Sequence, residues 1–384
     1  MKTPFGISSA VFSFSKNYVE IHSLYFIIHN DMKTILAIDS FKGCMASAEI
    51  EAAVAEALNK KGVETLSLPM SDGGEGMLHA FTQAMGGRLE SVYIHNQMMR
   101  RVDAQYSIAP DGTAIIEVAQ ACGLGLVKPA ERNPMRATTY GVGELLSRAI
   151  KNGCRNFIVG LGGTGTSDAG IGMIKALVDI FARGKNFDEA LKTELGECHF
   201  TLASDVANPL VGEKGAARVF APQKGATFSM VEQLERRAGL FAEKSALHFG
   251  YDKSKEPGAG AAGGLGYAFM QYLGGEMCSG AELLLDLCSF DEVAGDADLI
   301  ITGEGCADSQ TLMGKLPKRI LERGKRLGVP VGLVAGRVDS RNELLAAGFC
   351  FADSITPEDI SLEEAIKKDV VRANIMSWVT SYFK

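Results

Sequence analysis

Between positions 157 and 181 the chain runs from an apolar stretch through a glycine-rich turn into a second apolar stretch, and few folds accommodate that pattern. Phe157-Ile158-Val159-Gly160 reads as a buried strand, and Met173 to Phe181 reads as a helix. The turn between them carries Gly162, Gly163, Gly165, Gly170 and Gly172, the hydroxyls of Thr164, Thr166 and Ser167, and one acid, Asp168. A strand–turn–helix of this kind aims backbone N–H groups at an anion. Glycines remove the Cβ atoms that would block a close approach. The same residues also suit a tight packing turn with no ligand, so the rest of the chain has to decide between the two.

The flanking segments alternate strand and helix. Strand 33–38 ends in Asp39-Ser40-Phe41-Lys42-Gly43, Ser47 is placed to cap a helix over 48–60, and strand 63–68 runs into Pro69 to Gly76. A βαβ unit starts a parallel sheet. The rhythm returns late, with strands over 298–302, 329–335 and 349–354 and helices over 317–327, 340–347 and 361–382. These five strands predict one parallel sheet. Between them, 90–95, 101–108 and 113–118 alternate as antiparallel strands do. The expectation is an α/β chain of two α/β domains. A flavodoxin-like parallel-sheet domain (32–76 and 289–384) carries a large inserted α/β domain (77–288), with the ligand in the cleft between them. Residues 1–31 lack this periodicity and read as an N-terminal extension outside the fold, with Met32 as the natural start.

Composition narrows the function. The chain has 384 residues, a net charge of −7 and no long Lys/Arg run, which excludes nucleic acid and a membrane surface as partners. Its eight cysteines are scattered without a C-x-x-C pair, so a zinc or dithiol centre is unsupported and the chain reads as cytoplasmic and reduced. Gly314-Lys315 is followed by Leu316, so the chain has no Walker P-loop. No G-x-G-x-x-G follows the first strand, and neither H-R-D nor D-F-G occurs. The six histidines show no ligand spacing.

The acids Asp39, Asp72, Glu75, Asp168, Asp205, Glu304 and Asp308 each sit in or beside a glycine- or hydroxyl-rich loop. Asp39 and Asp72 fall just past strand carboxyl ends, the edge at which open α/β sheets bind ligands. Lys42, Lys224 and Lys315 sit in similar loops. Carboxylates for a divalent cation, cations for phosphate oxygens and a carboxylate to accept a hydroxyl proton are what phosphoryl transfer to a small alcohol requires.

The ordered set Asp39-Ser-Phe-Lys-Gly43, Pro69 to Gly76, Gly160 to Asp168, Asp205 to Leu210, Pro222 to Ala226, Gly258 to Gly266, and Thr302 to Gly305 with Gln310-Thr311 and Gly314-Lys315 resembles the bacterial glycerate kinase family, type 1. The resemblance runs from about 32 to 384. It implies ATP- and Mg²⁺-dependent phosphorylation of D-glycerate at the 2-hydroxyl, giving 2-phosphoglycerate. With it, the expected catalytic residues are Asp168, Asp205, Lys42 and Asp39. The expected cofactor-binding residues are Gly162, Gly163, Thr164, Thr166, Gly263, Gly264, Glu304 and Lys315, and the metal ligands are Asp72 and Asp205. Another small hydroxy acid as substrate, a non-catalytic sugar-acid-binding paralogue and a homo-oligomer all stay open. One departure stands out. The family pattern Gly-Glu-Gly-Arg-Ile-Asp reads Gly303-Glu304-Gly305-Cys306-Ala307-Asp308 here. Cysteine cannot replace a bidentate donor; Arg100 and Arg101 are candidates to compensate, and the sequence does not decide it.

Overall fold

The computed structural model describes residues 32–383 except 42, 72 and 358. The expected extension over 1–31 lies outside the described residues. The chain opens with β1 (Lys33–Ile38) and β2 (Glu64–Ser67). It continues through β3 (Arg88–His95), β4 (Arg101–Ile108), β5 (Ala114–Glu117), β6 (Asn156–Gly160), β7 (His199–Ala203) and β8 (Glu276–Cys278). It closes with β9 (Leu299–Ala307), β10 (Val331–Val338) and β11 (Ala352–Ser354).

The first two and last three strands form one five-stranded sheet in the order β11-β10-β9-β1-β2, every pair parallel. Counted along the chain this is the flavodoxin order, whose switch point falls between β1 and β9. The remaining strands form a six-stranded mixed sheet, β3-β4-β5-β6-β7-β8, antiparallel through β3, β4 and β5 and parallel from β5 to β8. The fold is therefore two α/β units, with the second sheet drawn from the chain between β2 and β9.

Strands covered on both faces are apolar throughout, and β1 shows it. Leu36 and Ile38 point to a layer made by Ile50, Val54, Ile375 and Trp378. Ile35 and Ala37 point the other way, into a core that also contains Ile115, Ile158 and Ala203 of the second sheet. Between the sheets lie the helices Met77–Ala84, Gly280–Leu287 and Leu316–Leu327, which supply Phe81, Leu284 and Ile320 to that core. The outer face of the second sheet packs Phe157, Val159 and Leu202 against Val142, Met173 and Phe269.

Charge reinforces the middle layer. The Arg323 guanidinium, nearly buried on Leu316–Leu327, donates to Glu282, Asp286 and Asp291. The three carboxylates are partly exposed, so Arg323→Ala is expected to cost about 2 kcal/mol, less than a fully buried pair. Urea denaturation of the variant checks it.

Three expectations are corrected. Ser47 does not cap the first helix but is its first residue. Its hydroxyl donates to the Ile38 carbonyl and accepts from the Met70 N–H, tying the end of β1 to the segment after β2. The Gly303-Glu304-Gly305-Cys306 motif is not a loop, because β10 extends alongside it and draws it into the ladder as far as Ala307. The closing helix is two, Leu362–Ala365 and Lys368–Tyr382.

Candidate functional site

At the carboxyl edge of the parallel sheet the ends of β1, β9, β10 and β11 open onto a cavity of about 920 Å³. Asp39, Glu304 and Lys315 line it together. Asp39 follows β1, its backbone N–H bonds the Gly303 carbonyl, and its Oδ1 accepts from Ser40 N–H. Glu304 projects from β9, nearly buried. One oxygen accepts from Thr311 Oγ1 at 2.6 Å and the other from Lys315 Nζ at 3.0 Å. Lys315 stands at the start of Leu316–Leu327, whose N-terminus faces the same edge. Phe41, Val338, Ile360 and Val371 add apolar surface to the cavity lining. Lys42 and Asp72 lie outside the described residues. A second cavity of about 460 Å³ continues from Ser40 and Phe41 past Met70, Glu75 and His79.

The glycine-rich turn stands at the corresponding edge of the second sheet, after β6. Its centre is an ammonium. Lys224, 3% exposed, donates to Thr164 Oγ1 at 3.1 Å and to the Thr166 carbonyl at 2.6 Å. Burial lowers its pKa to about 8, partly offset by the nearby Cys122 and Asp168. Lys224 reaches the turn from Pro222–Lys224, a short helical turn that Gly225 ends at φ +93°. Its loop was visible in the sequence. Its docking onto a turn about sixty residues earlier was not, and nothing local signals it.

Asp168 is held differently. Its carboxylate accepts from Thr139 N–H and Oγ1, and from Gly170 and Gly172 N–H at the start of Ile171–Phe181. From two residues before the N-cap Gly170, Asp168 thus satisfies N–H groups at the helix start and fastens Tyr140–Lys151 to the turn. Thr139, whose Oγ1 also accepts from Met173 N–H, completes the clasp.

Most of the glycines serve packing. A Cβ on Gly162 would stand 2.3 Å from Gly74 Cα, one on Gly73 2.4 Å from the Ala203 carbonyl oxygen, and one on Gly263 2.1 Å from the Thr166 carbonyl oxygen. Gly263 and Gly264 are buried, in left-handed backbone inside Ala261–Leu273, and the Gly263 carbonyl accepts from Ala169 N–H. The 258–266 cluster therefore buttresses the turn from behind. Gly163 differs: it is exposed, and a Cβ there would meet only the Ala119 Cβ, at an ordinary contact distance of 3.5 Å.

Asp205, just past β7, sits between the two groups. Arg319 of Leu316–Leu327 donates to it at 3.0 Å and to Glu282 at 3.3 Å. The structure thus brings Asp39, Glu304 and Lys315 to one cavity and Gly162, Thr164, Thr166 and Asp168 to one turn, with Asp205 paired across the seam. Among the described residues, no three His, Cys, Asp or Glu side chains come together as a metal-holding group. No helix among them is long and apolar enough to cross a membrane.

Residues 34–377 match the model of the glycerate kinase family. A protein of Halalkalibacterium halodurans called glycerate kinase is 36% identical over 87% of this chain and 93% of its own length. Escherichia coli K12 glycerate 2-kinase is 37% identical over 79% and 85%. A crystal structure of a candidate glycerate kinase 2 from Salmonella typhimurium LT2 superposes with a TM-score of 0.73 at 35% identity, covering 92% of this chain and 98% of that one.

Proposed function

The chain belongs to the glycerate kinase family, a family of phosphotransferases, and from that premise we propose that it transfers the γ-phosphoryl group of ATP to the 2-hydroxyl of D-glycerate, yielding 2-phosphoglycerate and ADP. The observation that carries the reading is the cavity at the sheet's switch point, where the Glu304–Lys315 pair and Asp39 meet beside apolar surface. A nucleotide needs that combination: an apolar surface for its base, a cation for its phosphates and a carboxylate for its metal.

Mg²⁺ fits the donors present. It takes hard oxygen ligands and is usually held by one or two carboxylates plus substrate phosphates rather than by a protein cage. Glu304 would hold it together with the substrate phosphates, and when bound it would neutralise charge on the transferring phosphoryl group. Lys315 Nζ neutralises phosphate oxygens and keeps the Glu304 carboxylate oriented. A carboxylate at this edge accepts the acceptor hydroxyl's proton, and Asp39, at the end of β1, is the assignment.

Glycerate docks against the second sheet's edge. The exposed Gly163 leaves room for it, and the Lys224 ammonium behind Thr164 and Thr166 makes the turn attractive to a carboxylate. Asp168 and the Gly263-Gly264 pair hold that turn in shape. Asp205, through Arg319, couples the two sheet edges. In this reading residues 32–76 and 289–384 form one cytoplasmic unit, 77–288 the inserted one, and the reaction takes place between them.

An ADP-release assay with ATP, Mg²⁺ and D-glycerate tests the reading, with ³¹P NMR of the product to identify the phosphorylated hydroxyl. Turnover with D-glycerate above a panel of other hydroxy acids is expected. No turnover with any of them overturns it.

A further inference from the structure

Cys306 puts a thiol on the cavity wall where the resembled pattern has arginine. Burial and the Asp339 carboxylate push that thiol up, so it carries no charge at neutral pH. Arg100 and Arg101 do not compensate. They belong to the β3–β4 hairpin at the outer edge of the six-stranded sheet, where Arg100 pairs with Glu131 and Arg101 lies over the Tyr93 ring.

The neighbouring strand supplies a guanidinium instead. β10 runs parallel to β9, and its Arg337 is the register partner of Cys306. Arg337 lines the same cavity as Asp39, Glu304 and Lys315, and its side chain is 71% exposed. Its Nη2 donates to Asp339 at 2.8 Å, and the same Asp339 oxygen faces the Cys306 thiol at 3.8 Å.

The charges decide what this arrangement is for. Among the described residues, the cavity wall carries three carboxylates, Asp39, Glu304 and Asp339, against two cations. Lys315 is engaged by the nearly buried Glu304. The Arg337–Asp339 pair is solvent-exposed, and such pairs contribute little, so exchanging Asp339 for a ligand oxyanion costs little. The guanidinium is a planar fork that grips a carboxylate or phosphate through two parallel bonds, and the Asp339 tether holds the fork at the mouth.

We propose that Arg337 is a further oxyanion-binding residue of this cavity beside Lys315, delivering from β10 the guanidinium that β9 lacks at position 306. Its ligand is a phosphate group of the nucleotide, since the hydroxy acid docks at the second sheet's edge. The proposal rests on the cavity reading given under Proposed function, and its test keeps the two apart.

Calorimetric titration of ATP and, separately, of D-glycerate into the wild type and Arg337→Ala is run beside turnover with both. Arg337→Ala is expected to weaken ATP roughly ten- to hundredfold and D-glycerate less than about twofold, with kcat changed less than KM for ATP. Weakening of D-glycerate with ATP unchanged overturns the assignment of a nucleotide phosphate to Arg337. Arg337→Lys recovers only part of the loss, and Cys306→Arg in the Arg337→Ala background recovers most of it. Turnover by both proteins with both affinities unchanged within twofold overturns the proposal and leaves the kinase reading standing. Arg337-dependent binding by a wild type that does not turn over overturns the kinase reading and leaves the proposal standing. Binding of neither ligand by the wild type overturns both. Arg337 is exposed, so the thermal melt of Arg337→Ala is expected to follow the wild type. A changed melt with unchanged affinities overturns the proposal.

Discussion

Gly263→Ala is expected to lower unfolding stability by about 3 kcal/mol or more and to abolish most turnover. Two costs add. Gly263 sits at φ +68°, and its new Cβ would lie 2.1 Å from the Thr166 carbonyl oxygen and 2.8 Å from that carbonyl's carbon. A left-handed backbone costs a residue with Cβ about 1–2 kcal/mol, and an overpacked site about 1–3 kcal/mol. The obstructing atoms are backbone, so no side chain can swing aside. The Thr166 carbonyl is also the acceptor of Lys224 Nζ, so whatever shift relieves the clash disturbs the ammonium. Gly239→Ala is the control. It lies within the Phe228–Phe249 helix with nothing near its Cβ position, and there alanine is expected to stabilise by about 0.5–1 kcal/mol. Urea denaturation of both variants reads the difference. A Gly263→Ala midpoint equal to that of the wild type would show that the turn yields.

Lys224→Met is expected to reduce kcat/KM with glycerate at least about a hundredfold, the scale of losing a preorganised electrostatic donor. Methionine keeps much of the volume but leaves Thr164 Oγ1 and the Thr166 carbonyl without their ammonium partner. An orphaned buried acceptor costs about 1–3 kcal/mol, so the melting temperature falls too.

The pH dependence separates these effects in the wild type. Folded Lys224 releases its proton near pH 8, whereas an ordinary lysine holds it to 10.5. Between those values the unfolded chain binds more protons than the folded one, so Lys224's contribution to stability rises with pH across that window. Activity moves the other way, falling on an alkaline limb centred near pH 8 as the ammonium is lost. A kcat/KM profile flat from pH 7 to 10, or a Lys224→Met enzyme within a few-fold of the wild type, would falsify the assignment.

The sheets were legible because their signal is local. Val331 to Ala335 and Ile35 to Ile38 are apolar on both faces, and each is bounded by turn residues. That reads as a buried parallel strand before any contact is known. Features set by partners distant in sequence were not legible. Whether Gly303 to Cys306 is loop or strand depends on how far β10 extends beside it. Whether Asp168 faces a ligand or a helix depends on Thr139, almost thirty residues earlier. The glycines posed the same problem in another form. Gly163 and Gly263 are the same letter in similar company, yet a Cβ would meet a methyl group at contact distance on one and clash with a carbonyl oxygen on the other. Arg337 carries no motif, and its cavity position follows from strand register.

The apolar layer between the sheets bears on how such a chain came to fold at all. Ile35, Ile300 and Leu333 of one sheet are sealed by the same cluster as Ile115, Ile158 and Ala203 of the other. The helices Met77–Ala84, Gly280–Leu287 and Leu316–Leu327 cover both faces as one shared layer. The two halves should therefore melt as one cooperative transition rather than as beads on a string. A ribosome releasing the chain in order must keep β1 and β2 waiting until β9 emerges more than two hundred residues later. The nascent chain then exposes an unpaired edge and an apolar face for the whole interval, which makes synthesis, rather than the finished molecule, the stage most exposed to aggregation.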